Sequence, residues 1–230
     1  MKTPGKFIVI EGVDGSGKSE QAKRLIERLK ALGYTVDTYD FPQYDRPSSY
    51  FVRQHLNGKY GSSGDVPPKL ASLFYALDRF DVGKDITKAL GAGHIVISNR
   101  YVGSNMGHQG GKLRNTKERR KLWQWLYDLE YGLLGSPKPD INLVLHVPAP
   151  LAQKLVDRKR RRKYLASGKR DIYEADLGHL KRAESSYLEM VKLFPREFKL
   201  VSCFEKGKLL SIDAIHERVW GIVRKVLPSR

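Results

Sequence analysis

The residues best suited to chemistry lie in a glycine-rich segment near the start of the chain. It reads Gly12-x-x-x-x-Gly17-Lys18-Ser19 and follows an apolar run at residues 7–10. Glycine lets the backbone curl so that N–H groups point at phosphate oxygens, which a Cβ atom would obstruct. Lys18 can extend to the β- and γ-phosphates of a nucleotide, and the Ser19 hydroxyl can bind Mg²⁺. The spacing predicts a P-loop, with Ser19 as metal ligand. Its nucleotide-binding residues are Gly12, Val13, Asp14, Gly15, Ser16, Gly17, Lys18 and Ser19.

The sequence on either side of this loop supplies the strand and the helix that a P-loop needs. The apolar run before it favours a buried strand, and apolar residues recur at helical spacing after Lys18 until Gly33, a typical C-cap. The new helix would turn the positive end of its dipole towards the bound anion. These apolar residues are Ala22, Leu25, Ile26, Leu29 and Leu32.

Further short stretches predict the rest of a parallel sheet, most of them apolar and the one at residues 36–39 alternating with polar residues. Helical patterns separate them, as expected when helices cover both faces of such a sheet. The predicted fold class is α/β, a P-loop three-layer α/β/α sandwich with a central, mainly parallel five-stranded sheet. No linker is evident, so residues 1–230 are expected to form a single domain. The predicted strands are residues 7–10, 36–39, 94–98, 141–147 and 198–201.

The segments between these strands are predicted to contain helices and one irregular stretch. Pro67 opens a helix that is expected to continue to about Leu90, and another helix is expected over residues 118–134. Residues 103–111 are rich in glycine and are expected to be irregular. Ser211 is expected to cap the last helix.

The composition describes a globular protein. Hydrophobic residues make up 40% of the chain, and no apolar run approaches the ~20 residues that a membrane helix needs. The first strand is expected so close to Met1 that no room is left for a signal peptide. Cys203 is the only cysteine and cannot form an internal disulfide, so a cytoplasmic location is expected.

The net charge of +17 favours anionic partners. Nucleotides and nucleic acids are both candidates, and a run of six cations at residues 158–163 makes the charge distribution uneven. One alternative function is therefore an ATP-dependent nucleic-acid-binding protein. Such a protein would need a continuous basic groove and salt-dependent binding of long DNA or RNA.

A P-loop alone leaves several classes of protein open. The chain has no Asn-Lys-x-Asp motif, with which GTPases read guanine. The strand at residues 94–98 leads into Asn99-Arg100 rather than into the acidic residue of a usual Walker B strand. The chain is also short for a motor ATPase. These features favour a small-molecule kinase or a sulfotransferase-like protein.

Several ordered motifs run along nearly the whole chain. They are Glu11-Gly-Val-Asp-Gly-Ser-Gly-Lys-Ser19, Phe41-Pro42 with Arg46, Leu73-Phe74-x-x-x-Asp78-Arg79, Asn99-Arg100-Tyr101-Val-x-Ser104-Asn105, Pro139-Asp140-x-x-Leu143 and Asp171-Ile-Tyr-Glu174. Together they resemble the thymidylate kinase family, which transfers the γ-phosphoryl group of ATP to dTMP. The resemblance implies this reaction, ATP and Mg²⁺ as cofactors, dTMP as the small-molecule substrate and a homodimer, without a membrane or a required nucleic acid.

The resemblance also implies roles for residues around the phosphates. Lys18 would hold the donor phosphates, and Asp14 would lie near the acceptor. Arg46 and Arg100 would grip the acceptor phosphate, for which a planar guanidinium is well shaped. The implied catalytic residues in this part of the chain are Lys18, Asp14 and Arg100.

Base and sugar recognition is implied in the same way. Thymine would stack on Phe74, Arg79 would hydrogen-bond its carbonyl edge and Asn105 would read N3. His108 stands where the family often has Tyr or Phe near the sugar 2′ position, so selection for deoxyribose is expected to be less strict. The full implied substrate-binding set is Asp14, Phe41, Arg46, Phe74, Arg79, Arg100, Asn105, His108 and Tyr173, carried largely by segments of about 41–80 and 99–111.

The basic run is explained by the resemblance as part of a lid at about residues 156–174. In the family, the residue after the loop aspartate is Arg or Gly, and when it is Gly the lid supplies catalytic cations. Here it is Gly15. Arg158 and Arg161 are therefore expected to stabilise transition-state charge, as an arginine finger does.

Asn99 departs from the family, which usually has aspartate there. Asparagine keeps the size of the side chain but loses the charge. We therefore expect Mg²⁺ to bind less tightly than in relatives, or to depend more on Asp14 and Glu11.

A rival within the same class is a kinase for another pyrimidine (deoxy)nucleotide or for a deoxynucleoside. Arg46 and Arg100 favour an acceptor that already carries a phosphate. Thymine and uracil differ by one methyl group, worth only ~1 kcal/mol, so dUMP is expected to be used as well.

Overall fold

The structure is a computed structural model that describes residues 4–157, 172–173 and 176–228. Arg158 and Arg161, and with them most of the predicted lid, lie outside the described residues. No helix in the described ranges is both long enough and apolar enough to cross a membrane.

Five parallel strands form the central sheet: β1 (Lys6–Glu11), β2 (Val36–Asp40), β3 (Ile95–Asn99), β4 (Ile141–His146) and β5 (Phe198–Ser202). Their order is β2-β3-β1-β4-β5. The strand that leads into the P-loop is therefore central, and its Ile8 pairs with Ile97 on one side and Ile141 on the other. The predicted α/β sandwich with a parallel five-stranded sheet is confirmed.

Helices pack against both faces of this sheet. Within the described residues they are α1 (Lys18–Ala31), α2 (Tyr50–Leu56), α3 (Pro68–Phe80), α4 (Gly83–Gly91), α5 (Val102–Gly111), α6 (Thr116–Tyr127), α7 (Ala149–Asp157), α8 (Leu177–Leu193) and α9 (Ile212–Val223). A 3-10 turn at Pro47–Ser49 precedes α2, and a short hairpin of β6 (Phe204–Glu205) and β7 (Lys208–Leu209) precedes α9. Ser211 caps α9 as predicted, because its Oγ accepts from the amide of Ala214 at 3.2 Å.

The central strand β1 is buried on both sides. Ile8 and Ile10 pack in one core cluster with residues of α1, whereas Phe7 and Val9 pack in another with residues of α4. All four side chains have no exposed surface, and each contributes roughly 1.5–3 kcal/mol relative to an exposed side chain. The loop after Glu11 therefore starts from a rigid position.

Helix α5 corrects the prediction that residues 103–111 are irregular. Its glycines permit close packing rather than breaking the helix. A Cβ atom added at Gly107 would lie 2.4 Å from the ring of Tyr187, and one at Gly111 would lie 2.8 Å from the backbone of Ala183 in α8. Glycine lowers intrinsic helix propensity, but here the close approach of α5 to α8 outweighs that cost.

Two other predicted helices end differently from expectation. The helix predicted from Pro67 to about Leu90 is divided into α3 and α4 at Val82, which is fully buried in the same cluster as Phe7. The helix predicted over residues 118–134 continues from α6 into a π-helical segment at Asp128–Leu133. This segment places Glu130 in the interior with no exposed surface. Tertiary packing decides both endings.

Candidate active site

The loop between β1 and α1 has the conformation of a phosphate-binding loop. Gly12, Gly15 and Gly17 have φ angles of +138°, +87° and +87°, which glycine adopts without strain. Space also requires glycine at two positions. A Cβ atom at Gly12 would lie 2.6 Å from the carbonyl oxygen of Leu145, and one at Gly15 would lie 2.0 Å from that of Ala152. The loop is thus packed tightly against β4 and α7.

Lys18 and Ser16 place polar groups inside the loop. Lys18 is the first residue of α1, is only 7% exposed, and donates from Nζ to the carbonyl oxygen of Val13 at 2.8 Å. Ser16 Oγ is buried and has no hydrogen-bond partner among the described residues. A buried ammonium group, a hydroxyl that lacks a partner and a helix N-terminus together suit nucleotide phosphates.

Arg100 follows β3 in a left-handed backbone conformation, with a φ of +67°. Ser98 Oγ supports this strained backbone by donating to the Arg100 carbonyl oxygen at 2.6 Å. The guanidinium contacts Asp14 at 2.5 Å, and the Gly12 carbonyl and Ser104 Oγ each at 3.1 Å. Burial alone would lower the pKa of Arg100, but the Asp14 carboxylate raises it. A permanent cation is therefore held beside the P-loop.

Glu11 is a buried structural anchor rather than a metal ligand. Its Oε1 accepts from the Tyr101 amide at 2.8 Å, and its Oε2 accepts from Ser104 Oγ at 2.6 Å and from Tyr187 Oη at 3.1 Å. Burial raises the pKa of Glu11, while these hydrogen bonds and the charge of Arg100 oppose that rise. With three donors and no exposed surface, Glu11 does not offer the Mg²⁺ contact that the sequence suggested.

Two cavities meet at the Asp14–Arg100 ion pair. One, the P-loop cavity, is also lined by Lys18 and Ser19. The other, the α3–α5 cavity, is lined by side chains that include residues of α3 and α5. This arrangement suits two ligands whose phosphates meet beside Arg100. The residues that line both cavities are Asp14, Phe41, Pro42, Tyr44 and Arg100.

Most of the predicted substrate-binding residues come together around the α3–α5 cavity. Those that line it are Asp14, Phe41, Arg79, Arg100, Asn105, His108 and Tyr173. Sequence reasoning missed Pro42, Tyr44, Leu56, Tyr75, Ser104 and Gln109. A helical pattern at 104, 105, 108 and 109 would have revealed the contribution of α5, had that segment been recognised as a helix.

Phe74 does not line this cavity, which corrects its predicted position. Its ring instead stacks on that of Phe51, with centroids 5.6 Å apart and planes at 16°, and also contacts His55. The neighbouring aromatic residue, Tyr75, lines the cavity together with Arg79. Residues four apart share a helix face, so the spacing from Arg79 points to Tyr75 rather than to Phe74.

Arg46 also lies away from the predicted site. Its side chain is 53% exposed and lines neither cavity, and its Nη1 lies 3.7 Å from Asp81 Oδ2. Arg53 donates to the carbonyl oxygens of both Tyr44 and Arg46 and so shapes the turn before α2. Among the described residues, Arg100 is therefore the arginine that lines both cavities.

Arg79 is held by a buried carboxylate. Its Nε lies 3.1 Å from both carboxylate oxygens of Glu130, and its Nη2 also contacts Glu130. Nη1 lies 3.5 Å from the Tyr101 carbonyl oxygen. Asn105, on α5, donates from Nδ2 to the Ser72 carbonyl oxygen at 3.1 Å. Both predicted base-reading side chains are thereby fixed in position before any ligand binds.

His108 connects Arg100 to His179 of α8. Arg100 Nη1 lies 3.3 Å from His108 Nε2, and because a guanidinium can only donate, that nitrogen accepts. The proton of His108 is then on Nδ1, which donates to His179 Nε2 at 3.3 Å. Burial and the charge of Arg100 hold the pKa of His108 well below its ordinary value. The wall of the cavity is therefore a neutral imidazole.

Tyr173 also lines the α3–α5 cavity. Its hydroxyl lies 2.6 Å from His55 Nε2 and accepts from Gln109 Nε2 at 3.1 Å. Gln109 Oε1 is buried and has no hydrogen-bond partner within the described ranges. Gln109, which the sequence analysis did not identify, thus lines the cavity and holds the Tyr173 hydroxyl in place.

Ser19, the predicted metal ligand, lies in the P-loop cavity beside Asn99 and Asp40. Asp14, which the sequence offered as a second ligand, is paired with Arg100 instead. Among the described residues, no group of three or more His, Cys, Asp or Glu side chains could hold a metal ion. The oxygen atoms of Ser19, Asn99 and Asp40 fit a Mg²⁺ ion that takes further ligands from nucleotide phosphates.

Known sequences identify the family. A family model described as thymidylate kinase matches residues 10–211. A thymidylate kinase from Mycobacterium tuberculosis is 34% identical over 186 residues, which covers 80% of this chain and 85% of the relative. A probable thymidylate kinase from Thermococcus kodakarensis is 30% identical over 226 residues, which covers 96% of this chain and 98% of the relative.

Solved structures agree on the fold. The thymidylate kinase of Candida albicans matches with a TM-score of 0.72 at 23% identity, covering 96% of this chain and 92% of that one. That of Ehrlichia chaffeensis matches with a TM-score of 0.68 at 22% identity, covering 96% of this chain and 100% of that one. At such identities the solved structures support the fold alone, whereas the family model and the sequence relatives establish the family. The chain belongs to the thymidylate kinase family.

Proposed function

We propose that the P-loop cavity holds ATP and the α3–α5 cavity holds dTMP, with phosphoryl transfer beside Arg100. The reaction of the family is ATP-dependent phosphorylation of dTMP to dTDP. The observation that carries the residue assignment is the meeting of the two cavities at the Asp14–Arg100 ion pair. Two anionic ligands would otherwise repel each other at that point.

On the donor side, the backbone amides of the loop and Lys18 would hold the β- and γ-phosphates. The Ser16 hydroxyl, which lacks a partner among the described residues, would donate to one of them. Mg²⁺, when bound near Ser19, would neutralise charge on these phosphates. Asp14 would orient Arg100 through their ion pair rather than contact the metal.

On the acceptor side, a phosphate oxygen of dTMP attacks the γ-phosphorus while the bond to the β–γ bridging oxygen breaks, which releases ADP. Such a transfer needs positioning and charge neutralisation more than covalent help. Arg100 would hold the acceptor phosphate, since its guanidinium faces the shared boundary of the cavities. Arg158 and Arg161 keep their proposed catalytic role on the family resemblance alone, because they lie outside the described residues.

Recognition of thymine would use Tyr75 rather than Phe74 for stacking. Arg79 would offer Nη1 to a carbonyl oxygen, since its Nε and Nη2 are engaged by Glu130. Asn105 would supply its amide oxygen to N3–H, because its Nδ2 is used by a backbone carbonyl.

The α2–α3 surface supports the proposal of a homodimer. Four large apolar side chains are exposed there: Phe51 at 49%, Leu70 at 46%, Leu77 at 50% and Phe80 at 51%. Leu70 and Leu77 are seven residues apart and share one face of α3. An apolar patch of this kind on a globular protein marks an interaction surface.

Three further features are proposed with this function. The acceptor-binding segments are about 41–80 and 99–111, which supply most of the side chains around the α3–α5 cavity. The lid is about 156–174, within one domain. A cytoplasmic location is supported by Cys203, a buried free thiol.

A panel of acceptors tests the proposed substrate. The protein is incubated with ATP, Mg²⁺ and either dTMP, dUMP, UMP, thymidine or DNA, and ADP and the phosphorylated product are quantified. The expected order is dTMP first, with dUMP roughly fivefold lower in kcat/KM because only a methyl contact is lost. Turnover that appears only with DNA would contradict the proposal and favour the nucleic-acid-binding alternative.

A matched pair of variants tests the base site. Tyr75→Leu is expected to raise KM for dTMP about tenfold, because it removes an aromatic stack and its burial. Phe74→Leu serves as the control and is expected to change KM less than about twofold. A large KM increase in Phe74→Leu with none in Tyr75→Leu would restore the original assignment of stacking to Phe74.

A further inference from the structure

Asp40 and Asn99 lie side by side at the carboxyl ends of two neighbouring strands. Strands β2 and β3 are parallel, and their register pairs Asp40 with Asn99. Both residues line the P-loop cavity together with Ser19. Ligands of open α/β sheets bind at this edge, outside the carboxyl ends of the strands. The topology therefore gathers a carboxylate, an amide and a hydroxyl at the start of α1.

The contacts of Asn99 leave one of its atoms without a partner. Asn99 Nδ2 donates to Asp40 Oδ1 at 2.8 Å and lies 3.5 Å from Ser19 Oγ. The amide thus holds the Asp40 carboxylate close to the Ser19 hydroxyl. Asn99 Oδ1 is buried and has no hydrogen-bond partner in the described part of the chain. A buried acceptor left unpaired costs roughly 1–3 kcal/mol, which a bound ligand would offset.

Other carboxylates near Ser19 are poorly placed for a cation. Asp14 is engaged by Arg100 at 2.5 Å, and Glu11 has no exposed surface. Glu27, which lines a neighbouring cavity, lies roughly 12 Å further along α1 at the usual rise per residue. Among the described residues that line these cavities, Asp40 is therefore the carboxylate beside the Ser19 hydroxyl.

We propose that Asp40 supplies the carboxylate of the Mg²⁺ site and that Asn99 positions it. This inference rests on the proposed function, in which ATP binds together with Mg²⁺. Mg²⁺ is commonly held by one or two carboxylates together with substrate phosphates.

The charge of Asp40 acts in opposite directions with and without the metal. In the absence of Mg²⁺, the carboxylate repels the nucleotide phosphates across the same cavity. With Mg²⁺ present, the carboxylate attracts the cation that the phosphates also bind. Loss of the charge should therefore weaken nucleotide binding in Mg²⁺ without weakening it in EDTA. A purely structural role for Asp40 would weaken both.

Calorimetry with a non-hydrolysable ATP analogue tests this difference. The quantity measured is the ratio of the affinities in Mg²⁺ and in EDTA, for the wild-type protein and each variant. Asp40→Asn is expected to lower this ratio about tenfold. The double variant Asp40→Asn with Asn99→Asp moves the charge to the neighbouring strand and is expected to restore the ratio. Asp37→Asn, on the same strand and paired with His94 at 2.6 Å, is the matched control and should leave it unchanged.

The outcomes separate this inference from the proposed function. An unchanged ratio in Asp40→Asn overturns the inference, whether both affinities stay the same or both weaken equally. The proposed function survives that outcome as long as the wild-type protein phosphorylates dTMP. A wild-type ratio near one overturns both the inference and the proposed cofactor. Asp40 is exposed, so its variant is expected to fold. Should it fail to fold, Asn99→Asp alone tests the site, because a second carboxylate should raise the ratio.

Discussion

Replacement of Glu130 by alanine is expected to cost more stability than any loss of a surface charge in this protein. Glu130 has no exposed surface and Arg79 is 2% exposed, so the pair is fully removed from water. In Glu130→Ala the guanidinium keeps one hydrogen-bond acceptor among the described residues, the Tyr101 carbonyl oxygen, 3.5 Å away. A buried charge without its partner costs about 3–5 kcal/mol. That is a large part of the roughly 5–15 kcal/mol that keeps a domain folded.

Urea unfolding followed by circular dichroism measures this loss. With a slope of roughly 3 kcal/mol per molar urea, the midpoint should fall by about 1 M or more. KM for dTMP should rise as well, because Arg79 lines the α3–α5 cavity. Glu27→Ala is the control, since Glu27 is 62% exposed and 4.0 Å from Lys23, and it should change stability by less than about 0.5 kcal/mol.

A double variant distinguishes the stability lost with the ion pair from the cost of leaving one charge buried and unpaired. Arg79→Met with Glu130→Leu replaces both charges by apolar side chains of similar size, and it should be more stable than Glu130→Ala alone. The reasoning is refuted if Glu130→Ala loses less than about 1 kcal/mol. It is also refuted if the double variant is less stable than Glu130→Ala, because the unpaired charge would then not be the cause of the lost stability.

Acid should destabilise the fold, since burial lowers the pKa of both His55 and His179 to about 4. The unfolded chain binds protons below its ordinary histidine pKa and the folded chain does not, so stability is full above about pH 6.5 and falls by about 2 kcal/mol per histidine by pH 5. Urea unfolding at pH 7.5, 6 and 5 measures this slope, and a flat profile would contradict it. Leu77→Lys should dissociate the proposed homodimer in sedimentation velocity, whereas Leu32→Lys on another exposed leucine should not. A wild-type protein that sediments as a monomer would contradict the proposed dimer.

The P-loop and the sheet could be predicted from the sequence because both depend on local patterns. The Gly12 to Ser19 spacing encodes a backbone shape that needs positive φ at specific glycines. The inner strands β1, β3 and β4 are largely buried, so they are visible as short runs that are mostly apolar, whereas the edge strand β2 alternates with polar residues. Neither signal requires knowledge of distant contacts.

Helix α5 shows where local patterns fail. Its glycines read as turn residues, yet Gly107 and Gly111 are required by the nearness of Tyr187 and Ala183, more than 70 positions away in sequence. The predicted position of Phe74 at the site is not observed, for a related reason. Adjacent helix residues point in different directions, and the packing of α3 places Tyr75 rather than Phe74 along the α3–α5 cavity.

By itself, the sequence determined that this protein binds nucleotide phosphates on a parallel α/β sheet, because backbone conformation and burial are encoded by neighbouring residues. Only the tertiary structure decided that Glu11 is an anchor, that Arg46 lines neither cavity and that Asp40 lies beside Asn99. Those facts depend on which strands are neighbours and on which side chains compete for the same donor. Contacts between residues that are far apart in the chain produce no periodic pattern in the amino-acid sequence.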